Sequence, residues 1–163
     1  WSDTLENIYF SEYYIHKIRK IRVTDSFVTY FAGTGSGSFN GDNSVATLTQ
    51  LNNPLGVYGD TNNDIYFCDC KNHRVRVVKS GTNIGNTVIG TGSNSYNGDN
   101  MAGTSTAIVS PIGIWCNING RIFVTDYSYV WRYNLNSGFT KIIAGTGLTT
   151  YNGDNIPASS ANL

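Results

Sequence analysis

Two histidines and the basic residues beside them are the side chains of this chain that could bind a charged ligand. His16 and His73 lie 57 residues apart, and each begins a segment in which basic and apolar residues alternate, as in a half-exposed β-strand. The candidate binding residues are His16, Lys17, Arg19, His73, Arg74, Arg76 and Arg132. A basic stripe on repeated strands could contact the phosphate backbone of RNA. Because the formal net charge is zero, we favour a solvated strand face that carboxylates in nearby turns neutralise.

Catalysis requires side chains that converge, and the acidic residues of this chain do not meet that requirement. Glu12, Asp69 and Asp126 occupy equivalent positions, each just after an apolar segment. Repeat-equivalent residues lie on a ring rather than in a cluster, so we expect each carboxylate to bond a neighbouring turn. No nucleophile stands in a readable arrangement with a histidine and an aspartate. The sequence therefore predicts no catalytic residue, no metal site and no cofactor.

The three cysteines carry little chemical signal. Cys68 and Cys70 flank Asp69, and Cys116 stands apart from them. This spacing is not C-x-x-C, and no His/Cys pattern with zinc spacing accompanies it. We expect buried thiols that behave as small apolar residues, with a disulfide or a metal site as the alternative.

The element that must position all these residues is a glycine-rich segment that occurs three times. The segment 32–43 (AGTGSGSFNGDN) returns at residues 89–100 and 144–155, at spacings of 57 and 55 residues. A recurrence at this period indicates a repeat architecture. The repeat signature consists of Gly33, Gly35, Asp42, Gly56, Asp69, Gly90, Gly92, Asp99, Gly113, Asp126, Gly145, Gly147 and Asp154.

This recurring segment is predicted to be a structural connection rather than a ligand loop. Its glycines allow positive φ, and its aspartates can accept hydrogen bonds from backbone amides within the connection. A phosphate loop is excluded because G-x-G-x-x-G and the G-K-[ST] ending are both absent. Calcium takes several oxygen ligands, whereas each turn offers one carboxylate. The aromatic residues Phe39, Tyr96 and Tyr151 are expected to pack the connections onto the sheets.

Four short strands are predicted in each period, in the same order. In the most complete period they are 53–59, 65–68, 73–78 and 87–89. Ile65-Tyr66-Phe67 shows no alternation, so both faces of its strand should be covered. The third period repeats this order from Pro111, and the first lacks the proline-led inner strand. A composition with 18 glycines and only 13% charged residues fits many short strands joined by turns.

These motifs together resemble the NHL repeat. The resemblance rests on Ala-Gly-Thr-Gly, the Gly-Asp turn, Pro54-x-Gly56-Val57, Ile65-Tyr66-Phe67-x-Asp69 and Asn72-His73-Arg74. It covers nearly the whole chain and implies an all-β fold of four-stranded propeller blades. The tripeptide itself varies between periods, so no function carries over from it. Because the repeats are complete and no catalytic side chains converge, we expect a non-enzymatic propeller that acts as a protein- or ligand-binding scaffold. The alternatives are a lyase-like or lactonase-like propeller enzyme, an RNA-binding propeller, or a repeat subunit of an extracellular assembly.

The chain is predicted to be one propeller segment, residues 1–163, that holds about three blades. The blades span residues 1–32, 51–89 and 110–144, and the connections span 33–50, 90–109 and 145–163. Propellers use four to eight blades, and a three-blade arc leaves open sheet edges. We therefore expect the ring to close by self-association or by further repeats, with a protein partner favoured over nucleic acid.

The sequence gives little information about membrane insertion or about the cellular compartment. There is no run of eighteen apolar residues, so no membrane span is predicted. The chain begins at Trp1 without a signal-like segment, which we interpret as an excerpt of a longer or processed polypeptide. The compartment stays open, with a slight preference for the cell exterior or surface, although no N-x-[ST] acceptor is present.

Overall fold

Three antiparallel sheets stand side by side in the computed structural model, which describes all residues 1–163. The first sheet contains β1 (Ile8–Glu12), β2 (Lys17–Ile21) and β3 (Val28–Ala32). The second contains β4 (Ser44–Val45), β5 (Pro54–Gly59), β6 (Ile65–Asp69), β7 (Arg74–Val78) and β8 (Ile84–Ile89). The third contains β9 (Gly113–Cys116), β10 (Arg121–Thr125), β11 (Val130–Asn134) and β12 (Thr140–Ala144).

The helical content is limited to five 3-10 turns. These turns are Tyr13–Ile15, Ala46–Leu48, Cys70–Asn72, Gly103–Ser105 and Ala158–Ser160. None of them has the length and apolar character needed to cross a bilayer. The all-β architecture expected from the repeats is therefore present.

The three sheets share one register, which makes their residues directly comparable. Phe67 pairs with Arg76, and Arg76 pairs with Thr87 in the second sheet. The matching rows are Val124, Trp131 and Ile142 in the third sheet, and Phe10, Arg19 and Tyr30 in the first. In each sheet, the pairing between the last two long strands also shifts register at the equivalent residues, just before Arg19, Arg76 and Trp131. In the first sheet, Ser2 pairs with Ile8 at the position of the absent inner strand.

The core lies at the two joints between sheets. At the first joint, Ile18 and Ala32 of the first sheet pack against Phe67 and Val78 of the second. At the second joint, the opposite face of the second sheet packs on Ile122, Val124 and Trp131 of the third. Every residue of β6 is buried, as its unbroken apolar sequence predicts, because both of its faces are covered. The fold is thus stabilised by apolar burial between sheets.

One element was not predicted: the connection 33–50 contributes a strand. Ser44 and Val45 form β4, which pairs with β8 at the outer edge of the second sheet. The next connection contacts the third sheet in the same way, through a bridge between Ala102 and Phe139. These two connections therefore wrap around the outer edge of the sheet that follows them, a long-range contact that no local pattern encodes.

Close backbone approach explains two sets of signature glycines. A Cβ at Gly33 or Gly90, both at positive φ, would lie 2.3 Å from a backbone oxygen of the preceding turn. A Cβ at Gly56 would lie 2.7 Å from the Ile112 oxygen, because the Gly56 amide bonds that oxygen across the inner ends of adjacent sheets. Only glycine permits these approaches without strain.

Candidate functional site

A groove crosses the face of the molecule that carries the turns 60–64 and 117–120. It consists of three clefts: about 390 Å³ between the first and second sheets, about 480 Å³ between the second and third, and about 280 Å³ at their inner ends. Asp3 and Asn63 line both the first and the innermost cleft. Asp60 and Asn117 line both the innermost cleft and the one between the second and third sheets. We call this continuous surface the turn-face groove.

The carboxylates of the turn-face groove are held rigidly by their own turns. Asp60 accepts hydrogen bonds from the amides of Asn62 and Asp64, at 2.9 and 3.0 Å, and from the Tyr66 hydroxyl at 3.3 Å. Burial and the nearby Asp60 and Asp64 carboxylates raise the pKa of Tyr66, so this hydroxyl remains a donor. The groove wall is therefore preorganised and polar.

Two lysines pair with two of the three carboxylates of the groove. Lys79 pairs with Asp64 at 2.7 Å, and Lys20 approaches Asp3 at 3.8 Å. Burial alone would raise the pKa of Asp3, but hydrogen bonds from Asn7, Tyr9 and Leu5 together lower it. The remaining wall is rich in asparagine amides, namely Asn62, Asn63, Asn117, Asn119 and Asn136. Such a surface suits a neutral polar ligand, because amides both donate and accept.

The two histidines join neighbouring sheets instead of forming a reactive pair. Each follows a 3-10 turn in the left-handed conformation, with φ of 54° at His16 and 52° at His73. The Nδ1 atom of His16 accepts the Asn53 amide at 3.0 Å, and that of His73 accepts the Ser110 amide at 3.0 Å. Burial, then Lys71 and Arg74, lower the pKa of His73, which favours the neutral form that this bond requires.

Arg76 lies at the centre of the first joint. Only 1% of its side chain is exposed, and it pairs with Asp42 at 3.1 Å and with Asp69 at 3.5 Å. Burial raises the pKa of Asp69 to about 6, against hydrogen bonds from Asn52, Asn72 and Arg76 that lower it. The Phe39 ring covers the guanidinium of Arg76 at 5.0 Å. This arginine is thus a buried connector between a sheet and the preceding connection.

The other predicted basic residues are distributed over separate surfaces. Arg74 donates to the carbonyl oxygens of Gly90 and Thr91, at 2.7 and 2.8 Å. Arg19 pairs with Glu12 at 3.1 Å, and the Lys17 ammonium lies 3.9 Å from the centre of the Tyr30 ring. Arg132 is half-buried on the third sheet, in register with Phe123. The structure therefore does not bring the seven residues together in one place.

The signature carboxylates act between elements. Asp42 accepts the Thr87 amide at 2.9 Å, and Asp99 accepts the Ile142 amide at 2.7 Å. The sequence predicts bonds within the connections, and one is present, from the Asn100 amide to Asp99 at 2.8 Å. The bonds from Thr87 and Ile142 instead come from the outer strand of the following sheet. Asp126 accepts the Ser128 and Tyr129 amides and the Trp131 indole N–H, so it bonds a neighbouring turn as the sequence predicts.

The cysteines are buried free thiols, as the favoured prediction has it. Burial and the Asp60 carboxylate raise the pKa of Cys116 to about 11, and burial raises the pKa of Cys68 as well. No group of three or more His, Cys, Asp or Glu side chains is arranged to hold a metal ion.

Sequence reasoning missed the turn-face groove. The composition of residues 60–64 (DTNND) is typical of a turn and does not by itself indicate that these polar side chains line a cleft. A further signal was available: Trp1, Tyr58 and Trp115 recur every 57 residues. The ring centres of Trp1 and Tyr58 lie 6.1 Å apart, and those of Tyr58 and Trp115 lie 6.3 Å apart, at the inner ends of the sheets. Trp1 and Tyr58 also line the innermost cleft.

Comparisons with known proteins agree with the repeat architecture. Residues 51–78 match the sequence model of the NHL repeat. Protein SUPPRESSOR OF QUENCHING 1, chloroplastic, from Arabidopsis thaliana is 29% identical over 102 residues, which are 61% of this chain and 10% of that protein. The chain thus spans about a tenth of this curated relative.

Solved structures share the fold at low sequence identity. A protein of unknown function from Bacteroides thetaiotaomicron has a TM-score of 0.64 and 16% identity, over 84% of this chain and 32% of that one. A catalytically inactive virginiamycin B lyase from Staphylococcus aureus, with quinupristin, has a TM-score of 0.55 and 16% identity, over 98% and 41%. An auxiliary nutrient binding protein from Bacteroides thetaiotaomicron has a TM-score of 0.55 and 19% identity, over 83% and 34%. The predicted β-propeller fold is confirmed by these similarities.

Proposed function

Starting from a chain that carries an NHL repeat and folds as β-propeller blades, we propose that it is a non-enzymatic binding scaffold whose turn-face groove holds the partner. The observation that carries this proposal is the continuity of the three clefts along one face. Their shared walls are turns fixed by hydrogen bonds, so a partner would meet a surface that does not have to be ordered on binding. Preorganisation of this kind lowers the cost of association.

The partner we assign to the groove is a neutral polar molecule or protein loop. The groove's lysines are already paired with Asp3 and Asp64, and Asp60 is engaged by its own turn and by Tyr66. The side-chain amides of Asn62, Asn119 and Asn136 remain as the free recognition groups. A highly charged partner would have to break those pairs. A peptide backbone or a hydroxyl-rich ligand matches the donors and acceptors of asparagine without doing so.

The non-enzymatic part of the proposal rests on what the titratable side chains do. His16 and His73 each use Nδ1 to accept a backbone amide, and Arg74 and Arg76 hold neighbouring segments. A side chain engaged in this way is not free to transfer a proton or attack a substrate. We therefore regard these residues as structural.

Groove binding can be tested with a blocking variant and a matched control. Asn119→Trp would fill the cleft between the second and third sheets, whereas Asn94→Trp places the same ring on an exposed connection elsewhere. We would record amide chemical shifts while adding neutral oligosaccharides and short uncharged peptides. Shifts at groove residues that vanish in N119W and persist in N94W are the expected result. Shifts confined to other surfaces would refute the groove.

The enzyme alternative has a direct test suggested by the structural neighbours. Quinupristin is the compound named with the virginiamycin B lyase to which this fold is similar. Incubation of this protein with quinupristin should leave the compound intact. Turnover that disappears in His73→Ala, in a variant that remains folded, would overturn the non-enzymatic proposal.

A further inference from the structure

The dipeptide Asn-Gly occurs four times in this chain, at Asn40, Asn97, Asn119 and Asn152. It can rearrange chemically because the backbone nitrogen of the glycine can attack the side-chain carbonyl carbon of the asparagine before it. Glycine has no side chain that would shield this nitrogen. All four asparagines are exposed, so solvent access does not distinguish them. Their hydrogen bonds differ, and these bonds determine which site can react.

The three asparagines of the connections are held through both polar atoms of the side-chain amide. The Nδ2 atom of Asn40 donates to the Leu48 oxygen at 3.0 Å, and its Oδ1 atom accepts the Gln50 amide at 2.8 Å. Asn97 and Asn152 make the same two bonds at distances between 2.7 and 2.9 Å. Attack requires the two reacting atoms to approach to about 3–3.5 Å in a defined orientation. Each of these amides must therefore leave both partners before it can react.

Asn119 lies in the turn between β9 and β10, and its side-chain amide is free. The backbone amide of Asn119 donates to the Oδ1 atom of Asn117 at 3.0 Å, but its side chain makes no hydrogen bond. The one restraint is on the attacking nitrogen, since the Gly120 amide bonds the Asn117 oxygen at 3.2 Å. The Gly41 and Gly98 amides make no such bond. In the connections the asparagine side chain therefore carries the protection, through two bonds instead of one.

We propose that Asn119 is a site of spontaneous deamidation. The Gly120 nitrogen forms a bond to the Asn119 Cγ atom, the bond from Cγ to Nδ2 breaks, and Nδ2 leaves as ammonia with the proton of the Gly120 N–H. Water then opens the resulting five-membered succinimide at either carbonyl group, which leaves aspartate or isoaspartate. The reaction takes up one water molecule and releases one ammonia, with no oxidation or reduction.

Deamidation would change the charge of the turn-face groove. Asn119 lines the cleft between the second and third sheets together with Asp60, Asp64 and Lys79. Lys79 already pairs with Asp64 at 2.7 Å, so no free cation lines this cleft to balance a new carboxylate. The product also loses an amide that both donates and accepts hydrogen bonds. The groove thereby acquires a second, more acidic form that binds neutral polar ligands less well. This consequence rests on the groove-binding proposal, whereas the deamidation itself does not.

Peptide mapping by mass spectrometry would test the site on the native chain. The protein is incubated at pH 7.5 in the folded state and, in parallel, in denaturing urea, and the gain of one mass unit is assigned to each asparagine by fragmentation. In the folded state Asn119 should react about fivefold faster than Asn40 and Asn97, the factor that corresponds to one additional hydrogen bond of about 1 kcal/mol. In urea the three sites should react at similar rates, because the bonds that protect the connections are lost.

Two matched variants would connect the chemistry to the cleft. Asn119→Gln keeps the amide but would have to form a six-membered ring, so the acidic species that isoelectric focusing detects in the aged native protein should be largely absent. Asn62→Gln makes the same change at another exposed asparagine of this cleft, which is followed by Asn63 rather than by glycine. That control should accumulate the acidic species as the native chain does.

The inference is wrong if the folded chain modifies Asn40 or Asn97 as readily as Asn119. It is also wrong if Asn119 stays intact in the folded chain while it reacts in urea. An acidic species that persists in N119Q would place the modification elsewhere and overturn the assignment. Groove binding is tested separately by the chemical shifts of the N119W comparison, and a negative result there leaves the peptide map unaffected.

Discussion

Replacing Arg76 should reveal how much the first joint contributes to stability. Arg76 and Asp69 are 1% and 0% exposed, so Arg76→Met would leave a buried carboxylate with only the Asn52 amide and the Asn72 side chain as partners. Removing one member of a buried ion pair costs about 3–5 kcal/mol of unfolding free energy. At pH 7.5 Asp69 of the native chain is ionised, since its pKa is raised only to about 6 while Arg76 lowers it. In R76M that lowering is lost, so the folded variant must either bury an unpaired carboxylate or take up a proton.

The third sheet supplies the matched variant. There Trp131 occupies the position of Arg76 and donates its indole N–H to Asp126 at 2.8 Å, with the Tyr96 ring 6.2 Å away. Arg76→Trp should therefore keep one donor for Asp69 and one ring contact with Phe39. We expect it to lose only about 1–2 kcal/mol, because a hydrogen bond to a charged group contributes about 1.5–3 kcal/mol and offsets that part of the penalty of about 3–5 kcal/mol.

Urea unfolding at a fixed protein concentration, followed by tryptophan fluorescence, would measure both variants. The penalty for R76M should shrink at pH 5, because protonated Asp69 needs no counterion and the variant's folded state takes up that proton more readily. If R76M is as stable as the native chain, or if R76W is no more stable than R76M, the assignment of Arg76 as a buried connector is wrong.

Two further perturbations test the histidine bond and the glycine approach. Because the folded pKa of His73 lies below 6.5, its bond to Ser110 contributes at pH values above 6.5 and is lost as the pH falls through that lowered pKa. The native chain should therefore be about 1 kcal/mol more stable than His73→Ala at pH 7.5, and this advantage should shrink by pH 5. Thermal unfolding would measure it, and an advantage independent of pH would contradict the prediction. Gly90→Ala would place a Cβ 2.3 Å from the His73 oxygen and should lower the free energy of unfolding by on the order of 2–4 kcal/mol. The control Gly81→Ala, also at positive φ but with nothing within 4 Å, should lower it by about 1 kcal/mol. Equal losses in urea unfolding would argue against the close approach at Gly90.

The strands of this fold were accessible from the sequence because each period repeats the same local signals. The unbroken apolar run Ile65-Tyr66-Phe67, the basic–apolar alternation after His73 and the prolines before the inner strands each indicate a strand locally. Three occurrences in one order made the assembly into blades predictable. Aspartates such as Asp126, which bond a turn nearby in sequence, were predictable for the same reason.

The joints were less accessible because they depend on contacts between distant residues. Arg76 was read as an exposed member of a basic stripe, yet its partner Asp42 lies 34 residues earlier and reaches it only when the connection wraps around the outer edge. The strand β4 was not predictable because its two residues are too few to show a periodicity. The turn-face groove is formed by turns from adjacent sheets, so its walls meet only after the sheets are stacked.

Amide hydrogen exchange at Thr87 and Ile142 tests the stacking of sheets through their connections most directly. The account predicts slow exchange at both amides, since the Asp42 and Asp99 carboxylates receive them. It also predicts that Asp42→Ala accelerates exchange at Thr87 far more than at Ile142, and that Asp99→Ala does the reverse. Fast exchange at both amides in the native protein would contradict the account.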